Sequence, residues 1–429
     1  MPDAVVHGTL PTGAAKEIGA TVDGRLEVDA DFSDSSVDAF GRLRVSNPLT
    51  LFDSSHRFAD NGLWSTSTAT GGAAVFNANQ GLVDLGVTAS SGSKVYRETT
   101  KVFSYQPGKS LLALNTFVLN PAKTGLRQRV GYFGAFNGIY LELDDSTLYF
   151  CKRSYVSGSV VNTRVSQANW NIDKLDGSGP TGLTLDPTKA QIMWMDIEWL
   201  GVGAVRAGFA INNIFIHCHS FSHANIIDTT YITTASLPLR YEIENTAATA
   251  SASTLKQICS TVISEGGYEL RGLQQAVSIP LGASRTLGTA GTFYPVISIK
   301  LKASPNRLDA IVILTAVSAM AISNGNYNWQ VRASGTTAGG TWVDAGANSA
   351  VEYNISGTSY SGGRILASGF FNASNQSATS VDILKEALFK FQLERNSFTS
   401  DPYELTLVIA SDGADDQVVA SMDFEEISR

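Results

Sequence analysis

Residues 191–221 constrain the fold more than any other stretch of the chain. Met193, Met195, Ile197 and Trp199 alternate with Ile192, Trp194, Asp196 and Glu198, which is the period of a strand. Gly201 to Ala204 then make a turn. Val205, Ala207, Phe209 and Ile211 share the next face, with Arg206 opposite. Asn212-Asn213 predicts a two-residue hairpin turn, because Asn tolerates the positive φ such turns require. Ile214, Ile216 and Cys218 follow on one face, with Phe215, His217 and His219 on the other. An antiparallel meander with one apolar face has to bury that face against a second sheet.

The flanking sequence supplies that sheet. Residues 51–268 alternate strands and turns at 95–105, 111–119, 129–134, 139–150, 239–243 and 256–263. Asp144-Asp145-Ser146 forms a hairpin turn, and 173–189 a long Asp/Gly-rich loop. So many antiparallel strands fit a two-sheet jelly roll of the lectin/glucanase kind. At 429 residues the chain exceeds one ordinary core. Residues 269–290 read as a linker, and residues 291–429 as a smaller β-sandwich. There Ile297, Ile299 and Leu301 alternate with polar residues, 310–315 is a continuous apolar run, and strands recur at 327–333, 405–409 and 418–424. Leu384, Leu388 and Phe391 recur at helical spacing, predicting one helix over 381–395. The expected architecture is all-β: an N-terminal arm (1–50), a jelly roll (51–268), a linker and a second β-sandwich with one helix.

Bulk properties exclude several classes. Hydrophobic content of 43% with 16% charged residues is that of a folded chain. Net charge of −8 without a Lys/Arg run argues against nucleic-acid binding. Cys151, Cys218 and Cys259 are odd in number and widely spaced, as expected of reduced core thiols. No transmembrane run or signal-peptide core is visible, so a soluble protein is expected, and no motif implies a cofactor.

Residues 1–36 carry only scattered hydrophobics, too few to fold alone, so a neighbouring subunit is expected to hold them. In 37–51, Arg42 and Arg44 alternate with Leu43 and Val45, the pattern of an extended strand docking on a partner or of an edge strand of its own domain. Phe40, Arg42, Leu43, Arg44 and Val45 are the candidate docking residues.

The stretch Val37-Asp38-Ala39-Phe40-Gly41-Arg42-Leu43-Arg44-Val45-Ser46-Asn47-Pro48-Leu49-Thr50-Leu51-Phe52-Asp53 resembles a module near the N-terminus of virion structural proteins of tailed bacteriophages, many of them marine. The resemblance continues through residues 169–179, 183–186, Asp196-Ile197-Glu198-Trp199-Leu200-Gly201-Val202-Gly203 and Leu239-Arg240-Tyr241-Glu242-Ile243-Glu244-Asn245-Thr246. It returns at Phe389-Lys390-Phe391-Gln392-Leu393-Glu394-Arg395. It implies a virion location, with other virion proteins and copies of the chain itself as partners. A tail, baseplate or collar adaptor or fibre base is the first expectation, and a capsid decoration or head fibre the alternative. A carbohydrate-binding adhesin, with a host-surface glycan as partner, is the alternative from another class.

Two clusters could carry chemistry. Trp194-Met195-Asp196-Ile197-Glu198 resembles the Glu-x-Asp-x-Glu strand of jelly-roll endoglucanases, which aims three carboxylates at one face. Trp194 stands where the nucleophile belongs, and a retaining glycosidase needs two suitably spaced carboxyls. The motif therefore supports the fold and counts against catalysis; its plain reading is charge on a half-exposed strand. His217, His219 and His223 would suit zinc if they converged, but solvated or stacked strand histidines are the expected arrangement. Trp64, Trp170, Tyr132 and Tyr140 would stack on sugars if exposed, and are expected in core or interface instead.

Overall fold

A computed structural model of the chain describes residues 48–266, 272–373 and 391–428, with two short strands, β1 (His7–Thr9) and β2 (Ala15–Glu17), paired antiparallel. Phe40, Arg42, Leu43, Arg44 and Val45 lie outside the described residues.

The first sandwich contains β3 (Leu49–Ser55), β4 (Trp64–Ala69), β5 (Ala73–Asn77), β6 (Leu82–Val87), β7 (Lys94–Thr99), β8 (Ser110–Val118), β9 (Leu126–Phe133) and β10 (Gly138–Asp144). It continues through β11 (Thr147–Ser154), β12 (Val161–Ser166), β13 (Gln191–Ile197), β14 (Val205–Ile211), β15 (Ile214–Phe221), β16 (Leu239–Asn245) and β17 (Ser253–Glu265). One sheet runs β12-β11-β10-β9-β16-β7-β4 and the other β15-β14-β13-β8-β17-β6-β5. β17 is long enough to pair with β6 along its first half and with β3 along its second. Leu49 and Thr50, at the end of the expected arm, thus belong to this sheet.

The 191–221 meander forms as its alternation predicts as far as His217. Met193, Met195, Ile197, Val205, Ala207 and Phe209 face the core between the sheets, where Val130, Leu141, Phe150 and Tyr241 meet them. Asn212 and Asn213 take φ of 52° and 63°, the left-handed pair that closes a two-residue hairpin.

The second sandwich is built from β18 (Leu273–Ser278), β19 (Arg285–Leu287), β20 (Tyr294–Leu301), β21 (Ile311–Ala321), β22 (Gly325–Ala338), β23 (Val343–Asp344), β24 (Val351–Asn354), β25 (Ser359–Ala373), β26 (Glu404–Ser411) and β27 (Asp416–Ser428). β18, β19 and β21 flank β27, facing a sheet ordered β23-β24-β20-β26-β22-β25. The stretch 269–290, expected as a linker, contributes two of these strands. Of the expected helix, residues 391–395 are described, and they run extended. Leu393 donates its N–H to Val312 O and buries its side chain in the second core, so a sheet partner outweighs the helical spacing. No α-helix occurs among the described residues.

The segment after this point clasps the first sandwich. Lys101 Nζ lies 2.6 Å from Glu394 Oε1, Gln392 Nε2 donates to Ser104 Oγ at 2.6 Å, and Tyr403 OH donates to Thr100 O at 3.1 Å. Arg395 reaches both Ser236 O and Asp309, and the Phe398 ring sits 5.4 Å from that of Tyr96.

Candidate functional site

The strongest concentration of polar chemistry lies on the outer face of the seven-stranded sheet, where cross-strand register sets charges in rows. One row reads Tyr149, Glu142, Arg129, Glu242, Tyr96 across β11, β10, β9, β16 and β7. The next reads Asp144, Arg127, Glu244, Lys94. Opposite charges directly across an antiparallel pair attract, so the register itself makes the ladder. Arg129 bonds Glu142 at 2.6 Å and Glu242 at 3.1 Å. Arg240 bonds Glu242 and Glu98, each at 2.5 Å, and Lys94 bonds Glu242 at 3.0 Å and Glu244 at 2.7 Å. Arg164 reaches Glu142 and Asp144, each at 2.6 Å.

Aromatic rings floor the spaces between these pairs. Arg240 lies 3.8 Å over Tyr96, Arg164 4.0 Å over Tyr149, and Arg153 5.2 Å over Tyr140. Gly131, between Tyr140 and Arg240 in the register, has no Cβ; one added there would lie 2.6 Å from Tyr140 Cα. The arrangement is internally paired. Burial alone would raise the Glu242 carboxyl, but Arg240, Arg129 and Lys94 outweigh it and hold Glu242 well below the usual carboxylate range. Burial pushes Glu98 upward against the pull of Arg240, and pushes the Tyr140 phenol up to about 12.

The Trp194, Asp196 and Glu198 stretch lies elsewhere, on the outer face of the eight-stranded sheet. Asp196 and Glu198 are both buried, not half-exposed; the outer face of β13 is covered from Trp194 onward. Asp196 sits opposite Arg206 in the register and bonds it at 2.5 Å. Glu198 fills the space beside Gly203, where an added Cβ would fall 1.4 Å from its Oε2. Trp194 packs against Phe215 and His217 with ring centroids 5.8 Å away in each case.

The histidines are separated by a β-bulge. Gly208 pairs with His217 and Ala207 with His219, so Cys218 is the extra residue and the faces swap beyond it. His217 therefore stays outside with Trp194 and Ser220 Oγ (2.9 Å), while His219 turns inward, parallel to Phe150 and edge-on to Phe221. His217 and His219 do not share a face, contrary to the simple alternation. His223 stacks on Tyr231 at 4.0 Å; its Nδ1 donates to Gly203 O at 2.6 Å, leaving Nε2 to accept from Lys152 Nζ at 3.0 Å. Burial pushes both His219 and His223 down to about 4. Among the described residues no three His, Cys, Asp or Glu side chains stand together as a metal-binding group.

Trp64, Trp170, Tyr132 and Tyr140 are all buried. Trp170 packs against Phe150 between the sheets with ring centroids 4.5 Å apart, and Tyr132 OH lies 2.7 Å from Ala235 O and 2.9 Å from Phe103 O. The three cysteines are free thiols, two of them fully buried. Sequence reasoning missed the charge ladder, although its signal is plain: Arg127-x-Arg129 and Arg240-x-Glu242-x-Glu244 place like or paired charges at period two on neighbouring strands.

No family model matches the sequence, and no curated protein sequence matches it. Among solved structures, the chain is similar to the carbohydrate recognition domain of Emp47p (11% identity, 51% of this chain and 97% of that one, TM-score 0.32). It is similar to a legume lectin-like domain from Entamoeba histolytica (10% identity, 50% and 97%, TM-score 0.31). It is also similar to a carbohydrate esterase from the Shiga toxin-encoding bacteriophage phi24B (11% identity, 51% and 99%, TM-score 0.30). The likeness concerns sandwich architecture and carries no argument about chemistry. Among the described residues no helix is long and apolar enough to cross a membrane.

Proposed function

We propose that this chain is a non-enzymatic structural component of a tailed-phage virion, assembling with copies of itself and with other virion proteins. An adaptor or fibre base in the tail, baseplate or collar is the favoured place, and a capsid decoration or head fibre the alternative. One observation carries the reading: the residues that bear the phage-module resemblance serve as structural fixtures. Trp170 plugs the core, and Asp173 accepts backbone N–H groups from Leu175 and Thr181. Gly203 makes room for Glu198. Arg240, Glu242 and Glu244 are rungs of the ladder, and Asn245 Nδ2 ties down Thr88 O and Ser90 O. Gln392, Glu394 and Arg395 clasp the two sandwiches together. Side chains spent on internal pairs build a rigid block. Gold-labelled antibody against the chain should decorate one discrete part of intact virions, and label confined to free protein in the lysate would refute the proposal.

A carbohydrate-binding role is the second reading, and one feature favours it. Phe136 and Tyr155 are exposed side by side, with ring centroids 4.8 Å apart, where the β9–β10 turn meets the end of β11. Exposed paired rings are a stacking platform for a sugar face. Glycan-array binding abolished in a Phe136→Ala/Tyr155→Ala variant would favour this reading, and an array without hits would remove it.

A further inference from the structure

Between the two sandwiches, where Arg395 meets Asp309, lies a cleft of about 230 Å³. That is room for one ring rather than for a drug-sized molecule, whose pockets run roughly 300–1,000 Å³. Tyr105 and Trp199 supply its aromatic side, edge to face with ring centroids 6.1 Å apart. Ser236, Asn306 and Arg307 supply its polar side. The stretch carrying the last two is fixed by its own backbone. Arg307 N–H donates to Lys302 O and its carbonyl accepts the Ala310 N–H, both at 3.0 Å. Asn306 Oδ1 accepts the Leu308 N–H, also at 3.0 Å.

The groups left over in this cleft are all able to donate. The Arg307 guanidinium, the Asn306 Nδ2 amide and the Ser236 hydroxyl make no hydrogen bond or ion pair among the described residues, and Ser236 is only 4% exposed. The one acid in the lining, Asp309, is answered by Arg395 at 2.9 Å, so the cleft keeps one uncompensated positive charge. A ligand that satisfies it brings acceptor oxygens and a negative charge, and the planar guanidinium fork suits a carboxylate.

The cleft wall is tied to the exposed Phe136–Tyr155 pair. Thr233 lines the cleft; its N–H donates to Asn137 Oδ1 at 3.1 Å, and its hydroxyl accepts from Asn137 Nδ2 at 2.6 Å. The same Asn137 Oδ1 accepts the Tyr155 N–H at 3.2 Å, and Asn137 follows Phe136 in the chain. One buried asparagine thus joins an aromatic stacking surface to a donor-lined cleft. Rings for a sugar face beside donors for a carboxylate match an acidic sugar chain.

We propose that the cleft holds a uronic-acid unit of an acidic glycan, its carboxylate on Arg307 and its oxygens within reach of Asn306 and Ser236. The next unit of the glycan lies over Phe136 and Tyr155. This rests on the carbohydrate-binding reading above and names its ligand class.

The test is an array of uronic-acid oligosaccharides set beside the same oligosaccharides with their carboxyls reduced to alcohols, probed with the full chain and followed by calorimetric titration. The acid form should bind at least tenfold more tightly than the reduced form. Arg307→Gln should weaken the acid form tenfold or more at unchanged Tm, and Arg307→Lys, which keeps the charge but not the fork, should recover part of the loss. Asn306→Asp is the second variant. It keeps the acceptor for Leu308 and puts a negative charge where Nδ2 stood, so it should weaken the acid form alone. Equal binding of acid and reduced forms overturns the inference, as does acid-form binding that both variants leave unchanged. Displacement by inorganic phosphate as effective as that by the acid oligosaccharide marks a bare anion site and overturns it too. Neutral glycans bound through Phe136 and Tyr155, indifferent to Arg307→Gln, sink this inference and leave the carbohydrate reading standing. Arg307-dependent binding that survives Phe136→Ala/Tyr155→Ala sinks the stacking platform and leaves the cleft.

Discussion

Glu242→Gln is the sharpest perturbation of the first sandwich. In the wild type its carboxylate, only 1% exposed, receives Arg129, Arg240 and Lys94. The amide removes the charge, keeps one acceptor oxygen and turns an N–H donor toward cations. Breaking a buried ion pair from one side costs about 3–5 kcal/mol. Here each cation keeps a second partner: Arg129 has Glu142, Arg240 has Glu98 and Lys94 has Glu244. The loss should therefore fall near the lower end, about 3 kcal/mol. With a urea dependence of about 2–3 kcal/mol per molar, the first-sandwich midpoint should drop by about 1–1.5 M. Glu352→Gln is the control, since its pair with Lys300 (3.2 Å) is partly solvated and worth about 0–1 kcal/mol. The sign with pH follows from the depressed Glu242 value. Its contribution is complete above the ordinary carboxylate range and is lost as pH falls through the lower folded value, so acid sensitivity should flatten in Glu242→Gln. A midpoint shift as small as that of Glu352→Gln would refute the view that the ladder is a stabilising fixture.

Other outcomes follow from the same geometry. His219 and His223, held near 4 by burial, stay neutral in the fold while the unfolded chain takes up protons near 6.5. Their contribution is present above that value and lost as pH falls toward 4, so His223→Phe should reduce the slope of Tm over that window; an unchanged slope would contradict it. Gly203→Ala, which drives a methyl into Glu198, should cost about 2–3 kcal/mol in calorimetry of the first transition. Removing residues 1–47, which stops short of β3, should leave the thermal melt within a few degrees of the intact chain but abolish assembly; a truncated chain that assembles normally would show the arm is dispensable.

The period-two meander at 191–221 was legible because core-facing methionines and aromatics alternate without interruption and Asn212-Asn213 marks its turn. The bulge at Cys218 was not, since an extra residue leaves no mark in the alternation until the partner strand is known. β18 and β19 escaped for a related reason: they are short strands whose partner, β27, lies more than a hundred residues downstream. The helix expected over 381–395 rested on Leu384, Leu388 and Phe391, the first two outside the described residues; at 391–395 the bridge to β21 sets an extended chain. Asp196 and Glu198 looked solvent-facing by periodicity, whereas both are buried and Asp196 pairs with the buried Arg206 opposite it. The charge ladder was visible strand by strand but acquires meaning through register, which places Arg129 between Glu142 and Glu242.

The central claim, a virion building block without catalysis, is met most directly by a cryo-electron microscopy reconstruction of intact particles that carry this chain. The account predicts density for the two clasped sandwiches, in multiple symmetry-related copies at one site of the particle, with the 392–403 clasp in place. A reconstruction in which every protein density is accounted for by other chains, while this one is recovered only from the soluble lysate, would contradict it.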